Sequence, residues 1–365
     1  MDYKGRQKRL REVLSKHHLD VLLITHGPNV RYLCGFTGSA GVLVLSESRT
    51  VFFTDGRYTA QARSEVEGAK LMVGRKAPLV LASEWLKANL RKLAGPGKCR
   101  LGIEAEHMTV AARSRLAESL PARFLLREAP AVVEQARMIK EPEELQLIQE
   151  AGLLGASLFD SALKAIRPGV KEAEVAAEME YAARKAGAEN MAFETIIASG
   201  ERSALPHGRA SSAAIPAQGF VVCDFGVILT GYCSDMTRTV HVGHVRPAAR
   251  VLYEAVREAQ QAALHAIRPG VSAGEIDHWA RKALQKKGFG RFFTHSTGHG
   301  VGLEVHEAPR IGAGQKEVLQ PGMVITIEPG AYIPGQFGVR IEDMAVVTDT
   351  GCEILTPTTK ELIAI

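Results

Sequence analysis

The hexapeptide AIRPGV stands at Ala165–Val170 and again at Ala266–Val271, 101 positions on. The match continues without a gap: residues 165–187 read AIRPGVKEAEVAAEMEYAARKAG, and residues 266–288 read AIRPGVSAGEIDHWARKALQKKG. In both copies a Pro-Gly turn separates two segments in which Ala, Leu, Val and Ile recur every three or four residues among Glu, Lys and Arg. That spacing marks amphipathic helices, and the closing Gly187 and Gly288 mark helix stops. Each copy therefore predicts a helix, a turn and a helix. Two copies at so long a period do not make a solenoid, so the repeat predicts a domain of two duplicated halves.

Around this repeat, a chain of 365 residues is too long for one ordinary core and predicts two domains. The first third alternates strand-like runs (20–25, 40–46, 50–54 and 100–106) with helical patterns (10–17, 59–66, 82–93 and 110–120). Such alternation describes an α/β domain. Near Pro130 the pattern changes to a long helical stretch in which Glu141-Pro142-Glu143-Glu144 supplies a helix-opening proline and first-turn acids. The expected boundary gives domains 1–128 and 129–365.

Composition narrows the classes of function. Apolar content of 46% and charged content of 23% describe an ordinary globular chain. Forty-five basic against 40 acidic residues leave +5, too small and too dispersed a surplus for a nucleic-acid partner. The dense basic run at Lys4–Lys16 has Leu10, Val13 and Leu14 at helical spacing and reads as one helix with a solvated face. No leader-like segment opens the chain, and no apolar run approaches a membrane span, so no membrane association is expected. Five cysteines without a CxxC pair suit free thiols in a reducing compartment, and the expected location is cytoplasmic.

After its paired helices, each half runs into strands carrying two acids. GFVVCDFGVILTGYCSDMTRTV holds Asp224 and Asp235, and GMVITIEPGAYIPGQFGVRIEDMAVV holds Glu328 and Glu342. A two-residue hairpin loop at Thr230-Gly231 would place Asp224 and Asp235 on one face of adjacent strands. Glu328 and Glu342 are separated by Pro329, Pro334 and Gly335, so their geometry cannot be counted out; the duplication places them beside the first pair. Four enclosed carboxylates raise one another's pKa, and divalent cations resolve that conflict. Between the pairs, FFTHSTGHGVGLEVHEAP supplies His295, His299 and His306, with Gly298 and Gly300 letting His299 approach an ion or substrate closely. Gly298, Gly300 and Gly302 are not a dinucleotide fingerprint, since neither a strand run precedes them nor a helix start follows. Two Asp, two Glu and one His make an oxygen-rich dinuclear site suited to Mn(II), Co(II) or Zn(II).

These motifs resemble a known family. PHG at His207, DFG at Asp224, SDMTRT at Asp235, STGHGVGLEVHE with His299 and His306, IEPG at Glu328 and VRIED at Glu342 are similar to the pita-bread metallopeptidases, peptidase family M24. Within it they resemble Xaa-Pro aminopeptidases and Xaa-Pro dipeptidases (prolidases). NVRYLCGFTGSAG and FFTDGRYTAQA resemble that group's creatinase-type N-terminal domain. The resemblance implies an N-terminal creatinase-like α/β domain followed by a pita-bread α+β domain with pseudo-two-fold halves. It implies two divalent ions, Mn(II) foremost, held by Asp224, Asp235, His299, Glu328 and Glu342. It further implies that Glu328 moves a proton and that His207 and His306 contact the substrate carbonyl. His295 would line the pocket, and Tyr332 and Arg340 would support the ligands. For Arg340, a salt bridge to a ligating acid and direct substrate contact both stand open. The Asp55-Gly56-Arg57-Tyr58 stretch needs no function beyond a strand-to-helix turn.

The implied substrates are peptides with proline in second position, and homodimers are usual in the family, the N-terminal domain limiting substrate length. GFTGSAG and the compact length lean towards the aminopeptidase, with prolidase as the alternative. A non-catalytic binding protein on the same scaffold and a creatinase-like amidinohydrolase, a branch without the metal set, are the remaining readings.

Overall fold

The apolar runs of the first third form one six-stranded sheet. Its strands are β1 (Val21–Ile24), β2 (Gly41–Ser46), β3 (Thr50–Asp55), β4 (Lys70–Gly74), β5 (Cys99–Glu104) and β6 (Phe124–Ala129), in the order β4-β3-β2-β1-β5-β6. β1 pairs parallel with β5 and antiparallel with β2, and its uninterrupted VLLI is buried throughout, as a central strand covered on both faces requires. Helices α1 (Tyr3–Lys16), α2 (Gly27–Cys34), α3 (Thr59–Glu65), α4 (Pro78–Ala94), α5 (Val110–Ser119) and α6 (Val132–Met138) accompany the sheet. Leu86 and Leu90 of α4 and Leu116 of α5 join Leu23, Val44, Phe53 and Leu101 in its core.

The computed structural model describes the whole chain, Met1–Ile365, as two units that divide after Arg137. This division lies nine residues beyond the expected 128/129, and α6 finds its polar partners within the first unit. Arg137 Nη1 donates to Asn29 Oδ1 at 2.7 Å, Asn29 Nδ2 donates to Glu134 Oε1, and Tyr32 donates to Ala136 O. Asn29 and Tyr32 lie on α2, a helix of eight residues without a clear sequence period.

The second unit bears out the repeat. α7 (Pro142–Ala165) and α8 (Glu172–Lys185) flank the first AIRPGV, and α9 (Pro247–Ala266) and α10 (Ala273–Lys286) flank the second. Gly169 and Gly270 both take left-handed φ, 85° and 88°. Gly169 N donates to Ile215 O and Gly270 N to Leu319 O, each at 2.9 Å, while Ile215 N and Leu319 N return bonds to Val170 O and Val271 O. The two turns thus make the same backbone bonds to equivalent segments.

The strands after each helix pair repeat the plan. In the first half they are β7 (Asn190–Met191), β8 (Ile196–Ser199), β9 (Gly219–Phe225), β10 (Val227–Leu229), β11 (Tyr232–Cys233) and β12 (Met236–Val242); in the second, β13 (Gly298–Gly300), β14 (Glu307–Ile311), β15 (Val324–Ile327), β16 (Gly330–Ile333), β17 (Phe337–Arg340), β18 (Asp343–Val347) and β19 (Cys352–Ile354). The main sheets run β12-β9-β8 and β14-β13-β15-β18-β19. Each half has its own core: Leu158, Ile166 and Met179 pack with Val221, Cys223 and Val240, and Val256, Ile267 and Ile276 pack with Ile325, Ile327 and Ala345. No helix is long and apolar enough to cross a membrane.

Candidate metal centre

The first acid pair is set by a hairpin. Leu229 pairs with Tyr232 across Thr230 and Gly231, whose φ values are both positive, 47° and 75°, as a two-residue primed turn requires. The register continues into β9 and β12, where Asp224 faces Thr237. Asp235, two residues before Thr237, therefore shares Asp224's face as a diagonal neighbour. The second pair is separated by the β16–β17 hairpin, which returns the chain so that Glu328, after β15, and Glu342, after β17, reach one cavity. Glu328 N donates to Thr297 O, and Glu342 N donates to Thr237 O.

All ten residues singled out in the sequence are brought together except in one respect. Asp224, Asp235, Glu328, Glu342, His207, His295, His299, His306 and Arg340 line a cavity of about 640 Å³. Tyr332 stands behind that lining, receiving Arg340 Nη1 at 2.7 Å and lying 3.0 Å from His295 Nε2. Arg340 Nη2 donates to Asp224 Oδ2, Nη1 also reaches Pro206 O, and Nε reaches Thr237 Oγ1. Arg340 thus makes a salt bridge to one of the cavity acids.

Asp235, His299 and Glu342 each offer a donor atom, all within 4.8 Å of one another. His299 Nδ1 lies 3.0 Å from Gly300 O, which assigns the proton to that nitrogen and leaves the Nε2 lone pair facing Asp235 Oδ2 and Glu328 Oε1, both 3.6 Å away. Burial lowers His299 to about 4, so the imidazole is neutral at pH 7. Gly298 and Gly300 serve a different purpose from the one expected. A Cβ on Gly298 would stand 2.0 Å from Thr326 O, and one on Gly300 2.2 Å from Ala308 O. Both glycines admit neighbouring strand backbone rather than a ligand.

Two observations test whether divalent ions suit these residues. Oδ1 of Asp224 is buried with no hydrogen-bond partner, a cost unless a cation faces it. Burial, then the neighbouring acids, push Asp235 and Glu328 well above the usual carboxylate range and Glu342 up to about 8. Four carboxylates share one guanidinium, so the protein alone does not neutralise its own site. An oxygen-rich set with one imidazole fits hard or borderline divalent ions.

Sequence reasoning missed several residues in and behind the lining. Arg310, exposed on β14, carries a cation into the cavity with no acid paired to it. Glu194 and Arg209 pair at 3.0 Å across the lining, and Thr237 Oγ1 donates to Glu342 at 2.7 Å. For Thr237 a signal existed: it sits two residues after Asp235 and so on the same face.

Comparison with known proteins agrees with this architecture. Residues 146–349 match metallopeptidase family M24, and residues 6–139 match the creatinase/prolidase N-terminal domain. The chain is 39% identical to the Xaa-Pro dipeptidase of Pyrococcus horikoshii over 370 residues, covering 98% of each chain. The structure of an Xaa-Pro dipeptidase from Bacillus anthracis superposes with a TM-score of 0.94 at 40% identity, covering 100% of both chains. The X-Pro aminopeptidase of Thermotoga maritima gives 0.88 at 35% identity, covering 99% of this chain and 100% of that one. Fold and acid-rich cavity together define a pita-bread metallopeptidase with a creatinase-type N-terminal domain. The chain belongs to metallopeptidase family M24.

Proposed function

We propose that this protein hydrolyses the bond between an N-terminal residue and proline, with Xaa-Pro dipeptides as its preferred substrates. The observation that carries the dipeptide preference is Arg310, an unpaired cation lining the cavity, suited to the carboxylate that a dipeptide presents one residue beyond the scissile bond. The Pyrococcus horikoshii and Bacillus anthracis relatives, both named Xaa-Pro dipeptidases, support it. The aminopeptidase reading is the second, favoured by the likeness to the Thermotoga maritima enzyme.

In this reading Asp224, Asp235, His299, Glu328 and Glu342 hold two divalent ions, Mn(II) foremost and Co(II) or Zn(II) as substitutes. Bound ions supply Lewis acidity and make a water molecule nucleophilic at neutral pH. The chain's own residues do the rest. Arg340 fixes one oxygen of Asp224 and Thr237 one of Glu342, so that these carboxylates would be held in place to bind the ions. His207 and His306 donate to the scissile carbonyl oxygen as charge builds there. Glu328 takes the proton released as water adds to the carbonyl carbon and passes it to the proline nitrogen, which leaves as the C–N bond breaks. Any amide nitrogen must gain a proton to leave as an amine, and because proline has no amide hydrogen, recognition at this bond cannot rest on a backbone N–H. Five unpaired cysteines suit a cytoplasmic location, and a homodimer completes the proposal.

The test is release of alanine from Ala-Pro and from Ala-Pro-Ala-Ala by Mn(II)-loaded protein, beside Asp235→Asn and Arg310→Met. Cleavage of Ala-Pro, abolished in Asp235→Asn and with KM raised about tenfold or more in Arg310→Met, is expected. Preference for the longer peptide would install the aminopeptidase reading. No metal-dependent cleavage of either would remove both.

A further inference from the structure

Glu172, the first residue of α8, is 0% exposed and stands outside the acid-rich cavity. Its Oε1 accepts from Ser199 N and Ser199 Oγ, both at 2.8 Å. Its Oε2 accepts from Ser211 N at 3.2 Å and from Ser211 Oγ at 2.6 Å. Arg202 Nε lies 3.0 Å from Oε2, and Nη2 of the same guanidinium donates to Arg209 O at 2.7 Å. Ser199, the last residue of β8, and Ser211 bracket the part of the β8–β9 connection that carries His207. One buried carboxylate therefore fastens that segment on both sides of His207, and Arg202 adds a bond to Arg209 O. The only hydrogen bond at His207 itself is to its backbone, from Arg209 N to His207 O at 2.9 Å. No hydrogen bond holds the imidazole itself, and the backbone beside it is also held at Pro206 O by Arg340 Nη1 at 2.9 Å.

The second half contains the same arrangement. Asp277 of α10, 1% exposed, accepts from Thr297 N at 3.2 Å and Thr297 Oγ1 at 2.8 Å. Arg281 Nε donates to Asp277 Oδ2 at 2.6 Å, and the guanidinium continues to Phe293 O and His295 O. In each half, a buried acid on the second helix of the repeat holds a hydroxyl residue through both its N–H and its O–H. In each, an arginine extends that hold to a backbone carbonyl, His295 O in the second half and Arg209 O, two residues after His207, in the first. The acids are not equivalent positions of the repeat, since Ala273 stands 101 residues after Glu172. The likeness is therefore not one residue inherited by duplication.

We propose that Glu172 is a positioning residue for His207, acting through the loop between Ser199 and Ser211. This rests on the peptidase reading above, in which His207 meets the substrate carbonyl. Charge-assisted bonds to a buried carboxylate are short and strong, and displacement of a substrate-facing group by about 1 Å costs up to about a hundredfold in rate.

Ser211→Ala tests this, because it deletes the 2.6 Å bond, together with the acceptor of Ala213 N, and leaves the carboxylate and α8 intact. In the full-length Mn(II)-loaded protein, amide exchange of residues 200–210 is expected to quicken about tenfold while α8 keeps its protection. With Ala-Pro, kcat should fall about tenfold at unchanged metal content and with KM within about twofold, and Ser211→Thr should restore it. In a His207→Ala background, Ser211→Ala should have no further effect on kcat. Unchanged exchange, or the same loss of kcat with His207 absent, would overturn the proposal. Absence of Ala-Pro cleavage by the wild type is instead a failure of the peptidase reading, and the exchange result then decides the clamp by itself.

Discussion

Arg340 holds one oxygen of Asp224 through Nη2, while the other oxygen of that buried carboxylate has no protein partner. The pair is the point at which the protein's neutralising charge ends. Removing one member of a buried ion pair costs about 3–5 kcal/mol, because the survivor remains unpaired in a poor solvent for charge. Arg340→Met should therefore lower the urea midpoint sharply in EDTA and less so with Mn(II) present. Equal losses under both conditions would show that Arg340 acts by packing alone.

Metal removal should make stability fall with rising pH. Glu342 is pushed up to about 8 by burial and Asp224, and Asp235 and Glu328 are raised as well. A carboxyl whose pKa is higher folded than unfolded retains its proton in the native state, so the unfolded chain binds fewer protons and stability drops as pH climbs. The window opens near the ordinary carboxylate pKa of about 4.5 and closes once pH passes the raised values. Thermal melts in EDTA should decline between about pH 5 and pH 9, and saturating Mn(II) should flatten the curve. A flat EDTA curve would contradict the raised acids.

The two repeated turns should respond alike to one substitution. Gly169 and Gly270 have φ of 85° and 88°, and a Cβ on either would meet nothing within 4 Å. The penalty for alanine is thus conformational, about 1–2 kcal/mol at each site. Denaturant titration of Gly169→Ala and Gly270→Ala should give matching losses. A clear difference between them would mean that the two turns carry unequal strain.

Much of this architecture was legible because local rules were also the global ones. The AIRPGV repeat foretold the helix pairs, since a Pro-Gly turn with a left-handed glycine has few backbone solutions. The Asp224 and Asp235 register followed from the loop length at Thr230-Gly231. Glu328 and Glu342 resisted counting because an entire hairpin, β16–β17, intervenes, and its closure depends on packing rather than spacing. β4 and β6 were not anticipated; they are the sheet's two edges, half-exposed and weakly patterned. Arg310 carried no signal because nothing in a linear reading says which side of β14 meets the cavity. Glu172 was equally silent, as a glutamate at a helix start is ordinarily only a favourable charge near the dipole.

Gly298 and Gly300 carry a lesson for tracing descent. Side chains are barred at both positions by the carbonyls of Thr326 and Ala308, whatever His299 does. Relatives that keep this strand packing would be held to glycine there even after losing the acids and with them the reaction. A glycine-histidine-glycine signature in a distant chain would thus testify to common architecture, and only the carboxylates beside it would testify to common chemistry.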